Sequence, residues 1–237
     1  MRSFGWAVLL IAGLSLGAAA QNWLDAEPRE LLTEEETLYV SSAEALRRAS
    51  LGFTGLFADV YWIRTTVYFG QNFERQKLTN EVFDVRELRL LKPMLALVTE
   101  LDPRHVTAYR FGGFFLQYEN ANEAIRFIEL GIRNNPAEWR LYQDLGFALW
   151  RQGKFKEATD AYLRGGQLPG APGWMQPMAA TMIAKGGDRE TARQLFLRLY
   201  EESDDAFVRQ VCEEQLRLLE TESPISIPKS QIPNSQP

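Results

Sequence analysis

Residues 141–162 read LYQDLGFALWRQGKFKEATDAY, and the placing of small and large residues within them recurs along the chain. Ala124, Ala158 and Ala192 are spaced by 34, as are Ile128, Tyr162 and Phe196, each four residues further on and so on the same helical face. Gly112, Gly146 and Ala180 repeat at the same interval, and Glu119, Gly153 and Gly187 fall where the chain turns between two helices. Gly131 with Gly165, and Pro136 with Gly170, complete the register. The residue types give the spacing a mechanical meaning: small residues let paired helices approach, and Ile128, Tyr162 and Phe196 plug the gap between layers. Gly153 takes the positive backbone angle that a tight helix-to-helix turn requires. Such a unit cannot bury its apolar stripe alone, so several stack into one continuous core with atypical units at both ends.

Tyr142, Leu145, Gly146, Leu149, Gly153, Ala158 and Tyr162 resemble the tetratricopeptide repeat consensus position by position. In the unit before, Ala108, Phe111, Gly112, Phe115, Ala124, Ile128 and Pro136 fit, with Ala108 replacing the usual large aromatic; Leu101 to Pro103 resembles the inter-repeat joint. In the unit after, Ala179 and Ala180 stand for the Leu and Gly pair, and Gly187, Ala192 and Phe196 keep the second half. The resemblance covers residues 104–205 and implies an all-α, right-handed solenoid of helical hairpins with three clear repeats, a degenerate leading repeat and a C-terminal capping helix. It also implies a concave groove lined by the first helix of each unit. Tyr109, Leu116 and Gln117 would come from the first; Arg140, Gln143, Phe147, Trp150 and Arg151 from the second; Trp174, Thr181 and Lys185 from the third. Aromatic rings beside guanidinium groups suit a peptide or partner helix. The family's two-carboxylate clamp of Lys and Asn is absent, since Tyr109, Gly113, Asp144, Trp174 and Met178 occupy its positions.

Outside the repeats, residues 41–103 read as the degenerate repeat with an inserted loop. Ser41 and Glu44 form a capping box for a helix running through Ala45, Leu46, Ala49, Phe53, Leu56, Phe57, Val60 and Ile63. Trp62 and Phe69 have the spacing of a first repeat helix. Residues 71–85 read as a long polar loop, irregular or in part helical, followed by a helix over 86–100 that Pro93 kinks or delays. Asp59 and Arg64 rule out a second membrane span in this aromatic stretch, which is either a cap on the first repeat or a docking surface. Residues 206–222 predict a capping helix, and 223–237, with Pro224, Pro228, Pro233 and Pro237, a disordered tail.

At the amino terminus, Arg2 precedes an uncharged run over 4–20 that ends in the small pair Ala18 and Ala20 before Gln21. This directs export, either as a cleaved signal peptide or as a retained membrane anchor, with 21–40 as linker. The expected location is periplasmic, soluble after cleavage or tethered to the inner membrane, and Glu34, Glu35 and Glu36 read as a solvated face of that linker.

A net charge of -5 over 237 residues, with Lys and Arg dispersed, gives no footprint for nucleic acid. Cys212 and His105 are the sole cysteine and histidine, which removes disulfide frameworks and the usual zinc constellations. Cys212 reads as a small buried hydrophobe and His105 as a surface residue. The glycines and prolines of 165–173 lack the Lys and Ser or Thr of a phosphate loop, so that run reads as an inter-repeat joint. With no spaced nucleophile, base or metal cluster, the sequence predicts no catalytic residue, cofactor, metal or small-molecule substrate. The function expected is a non-enzymatic scaffold or adaptor of the cell envelope that holds a protein or peptide partner. The alternative is a structural subunit of a membrane-associated complex docking through 51–73.

Overall fold

The computed structural model describes residues 43–78, 84, 86 and 88–221, all within a compact unit spanning Ser42–Pro237. The expectations for 1–20, 21–40, Ser41, Glu34 to Glu36 and the tail at 223–237 lie outside the described residues, as do 79–83 and residue 85 of the expected loop.

Among the described residues there are ten helices and no strand: α1 (Ala43–Ala49), α2 (Thr54–Leu78), α3 (Leu91–Leu101), α4 (Val106–Leu116), α5 (Ala121–Asn134), α6 (Trp139–Arg151), α7 (Phe155–Gly166), α8 (Met175–Lys185), α9 (Arg189–Glu202) and α10 (Ala206–Thr221). From α2 onward each helix packs on the next in sequence. The result is an all-α array of hairpins, α2–α3, α4–α5, α6–α7 and α8–α9, with α10 packed on α9 and α8.

The repeat chemistry explains the packing. A Cβ built on Gly146 would lie 2.7 Å from the Tyr162 ring, one on Gly131 2.7 Å from the Tyr109 ring, and one on Gly165 2.7 Å from Tyr142 Cβ. Only a hydrogen fits in those places, so these glycines set how closely the helices approach. One detail departs from the 34-residue register. Ile128 lies over Gly113, whereas Gly112 faces Phe127 and Leu95.

Buried Tyr109, Ile128, Leu141, Tyr142, Leu145, Ala158, Tyr162, Met175 and Met182 belong to one core running from α4 to α8. Phe196, Ala192, Ala180, Val208 and Cys212 form the core under α10, where Cys212 is fully buried. Phe207, in the first turn of α10, faces outward. The turns are built locally: Gly153 has φ 71° and Gly187 φ 99°, while Asn120 accepts hydrogen bonds from the backbone N–H groups of Asn122 and Glu123 to open α5. Gly170, with φ 74°, turns the joint between α7 and α8.

The leading region corrects or sharpens the sequence reading at three points. The helix expected through Ala49 and Phe53 breaks at Leu51 and Gly52, whose φ values are 50° and 95°. Of the expected loop, residues 71–78 are helical, the last turns of α2. Their buried side chains, Asn72 and Gln76, continue the inward face of Ala58, Tyr61, Thr65 and Tyr68, and being polar they carry no hydrophobic period. Asn72 donates to the Tyr68 carbonyl at 2.8 Å, and Gln76 Oε1 accepts from the Asp84 N–H at 2.8 Å, so burial leaves these groups paired. Pro93 delays α3, which starts at Leu91 and places the proline in its first turn, where no backbone donor is needed.

Candidate functional site

The first helices of three successive hairpins, α4, α6 and α8, carry the residues expected to line a groove. Direct packing of α4 on α6 sets the spacing of the strip, and three charged contacts connect neighbouring units along it. Arg110 Nε lies 2.7 Å from Asp144 Oδ2; the Arg151 guanidinium stands 5.0 Å from the Tyr118 ring centre; and Lys185 Nζ stands 6.0 Å from that of Trp150. Phe147 and Trp150 meet edge to face at 5.6 Å. Phe147, Trp150 and Gln143 are half-buried, whereas Arg151, Lys185 and Tyr118 are exposed. A surface of ring faces flanked by cations results, chemistry suited to carbonyls, carboxylates and apolar side chains of a polypeptide.

Two expected lining residues are not available. Tyr109 is 0% and Leu116 4% exposed, because Tyr109 is pressed on Gly131 and its hydroxyl accepts from Asn134 Nδ2 at 2.8 Å. In a helix sandwiched between neighbours on both sides, the position assigned to the groove by consensus turns into the core. The remaining expected residues divide. Gln117 donates to the Phe114 carbonyl at 2.7 Å, and Thr181 to that of Pro177 at 2.9 Å. Arg140 pairs with Glu138 at 2.9 Å and lies over the Trp139 ring at 4.7 Å, at the opening of α6. Trp174 packs on the main core just ahead of α8. Phe147, Trp150 and Lys185 come together; Arg151 joins Tyr118, which the sequence reading did not include.

The strip continues onto α2 through an aromatic ladder also missing from the sequence reading. Trp62 meets Phe111 at 5.4 Å, Phe69 meets Phe111 at 5.0 Å and Phe115 at 4.4 Å, and Phe115 meets Phe114 at 4.9 Å. Phe114 then reaches Tyr118 at 6.1 Å. Phe111, Phe114, Phe115 and Tyr118 are spaced three and four apart on one helix face, which is the signal that could have found them. His105 is not the surface residue expected. Its side chain is mostly covered, its Nδ1 accepts from the Ala108 N–H at 3.2 Å to cap α4, its ring lies 5.3 Å from that of Trp62, and Nε2 lies 3.8 Å from Asp59 Oδ1.

Electrostatics here follow burial. Desolvation holds the Asp144 carboxyl above its ordinary value, against the opposing pull of the Arg110 guanidinium. Burial, with the Asp144 charge nearby, pushes the Tyr162 phenol up to about 12. Both groups belong to the packing of α4, α6 and α7. Among the described residues no group of three or more His, Cys, Asp or Glu could hold a metal ion, and no helix is long and apolar enough to cross a membrane. No family model matches the chain, and no curated protein matches it.

Proposed function

We propose that this chain is a tetratricopeptide-type scaffold or adaptor of the cell envelope, exported by its amino-terminal segment, that holds a peptide or partner helix along the strip formed by α4, α6 and α8. One observation carries the reading: the rings of Trp150 and Tyr118, each within reach of a cation from the next unit, with Phe147 edge to face on Trp150, form a band across successive hairpins. Such a band binds by contact area and charge and requires no reactive group. A non-catalytic role is further supported by the titratable groups near it. Arg110 and Asp144 are spent on each other, and Arg140 on Glu138.

The test places a photoreactive residue at Trp150, at Lys156 on the exposed side of α7, and at Ile63 on α2, each in the full chain in its native envelope. Specific adducts at position 150, absent at 156, are the expected result. Equal labelling at 150 and 156 overturns the reading, as does capture at 63 alone of a protein other than a second copy of this chain, which would move the working surface to 51–73 and favour the membrane-complex alternative.

A further inference from the structure

The face of α2 turned away from the array is apolar. Phe53, just ahead of the helix, and Leu56, Val60, Ile63 and Val67 along it are between 41% and 68% exposed. Their spacing of three, four, three and four is the a/d pattern of a heptad, with Phe53, Val60 and Val67 at a and Leu56 and Ile63 at d. The f positions of the same frame, Ala58, Thr65 and Asn72, are all buried. Seam and buried face are therefore diametrically opposed, and the residues that hold α2 in the fold leave the seam clear. In this stretch Tyr61 and Tyr68 are buried and Trp62 and Phe69 lie on the rings of α4; Phe53 and the aliphatic residues of the seam remain outside.

The charges interrupting this helix name the occupant. In the heptad frame Asp59 is a g residue and Arg64 an e residue, five positions on. In a parallel two-stranded pair, g of one helix faces the e five residues later in the other, so Asp59 of each copy meets Arg64 of its twin, twice by symmetry. Both side chains are exposed beside the seam. Val at a, as at 60 and 67, with Leu at d, as at 56, suits two strands. The geometry points to α2 as a self-pairing seam: residues 53–67 form a parallel, in-register two-stranded coiled coil with a second copy of this chain. The inference is independent of the groove. Loss of partner capture at Trp150 leaves it standing, and failure of pairing leaves the groove reading intact.

Two heptads span only about 20 Å, so the pairing is weak and is read best by trapping it. Phe53→Cys and Val67→Cys, made singly in the full chain, are oxidised briefly in intact expressing cells before lysis. The native chain, with Cys212 fully buried, and Lys156→Cys are the controls. In-register parallel pairing puts equivalent residues within the roughly 4.4–6.8 Å that a disulfide spans, so each end variant alone yields a covalent dimer and the controls do not. An antiparallel pair, or another protein on the seam, leaves both end variants monomeric and overturns the inference. A second measurement guards against variants that fold poorly. Asp59→Arg and Arg64→Asp, each in the Val67→Cys chain, lower the dimer yield several-fold, and combined they restore it; no restoration, with helix content unchanged by circular dichroism, overturns it as well.

Discussion

The hairpin α6–α7 and the leading pair α2–α3 are built from the same kind of element, yet among the described residues one packs on a hairpin before and a hairpin after it, and the other on one hairpin and the short α1. In α6–α7 the residues that set helix separation are a glycine and a tyrosine in direct opposition, and a three-residue turn at Gln152–Lys154 with Gly153 at φ 71° closes the hairpin. In α2–α3 the connection runs over residues 79–90, and the inward face of α2 ends in Asn72 and Gln76. Its glycines at 55 and 70 meet nothing: a Cβ there would have no neighbour within 4 Å. A unit inside a stack is specified by what both neighbours demand. A unit at the end answers to one neighbour, and its outer face is free to be chosen for something else.

Four outcomes would break or sharpen that contrast, the strongest first. Tyr162→Ala removes the plug between α6 and α7 and costs about 3–5 kcal/mol in chemical denaturation; a loss below about 1 kcal/mol would mean the interior hairpin is not held by this contact. Gly146→Val forces a side chain into the Tyr162 ring and costs about 1–3 kcal/mol, read the same way. Gly70→Ala in α2 goes in the opposite direction, stabilising by up to about 1 kcal/mol, since a glycine in open space within a helix gives up only conformational entropy. Destabilisation there would show that the outer part of α2 is closely packed after all.

The smallest effect concerns pH. Asp188 caps α9 by accepting from the Thr191 N–H at 3.0 Å, and the Thr191 side chain and backbone hold its carboxyl below the ordinary value of 3.8. A folded-state value lowered in this way gives stability that is present above 3.8 and lost as pH falls through the folded value. Asp188→Ala therefore lowers the melting temperature at neutral pH, by a few degrees on the order expected for a helix cap, and the gap between variant and native chain closes as the solution is acidified below that point. A gap independent of pH would assign the loss to something other than the charged cap.

The interior hairpins were legible because their packing is encoded by residue size at a fixed interval. Gly146 beneath Tyr162 and the positive φ at Gly153 and Gly187 follow from types and spacing alone. The candidate strip was legible in part. Trp150, Phe147, Arg151 and Lys185 are half-buried or exposed, but the register also assigned Tyr109 and Leu116 to that surface, and they are core. Burial of a helix position depends on which neighbours press on it, and the rings of Phe111, Phe114 and Phe115 against Trp62 and Phe69 are contacts between segments some forty residues apart.

Legible in the residues alone were the pairing of helices at a 34-residue interval, the turns at Gly153 and Gly187, and the burial of Cys212. Tertiary structure alone decided where the polar face of α2 would be buried, how His105 would be used, and which apolar residues would remain outside. The physical reason is one of range. Size, turn geometry and periodicity act within a helix or between adjacent helices and are written in neighbouring residues. Burial is a property of the assembled stack, so Asn72 can be interior and Ile63 exterior against the preference of each side chain.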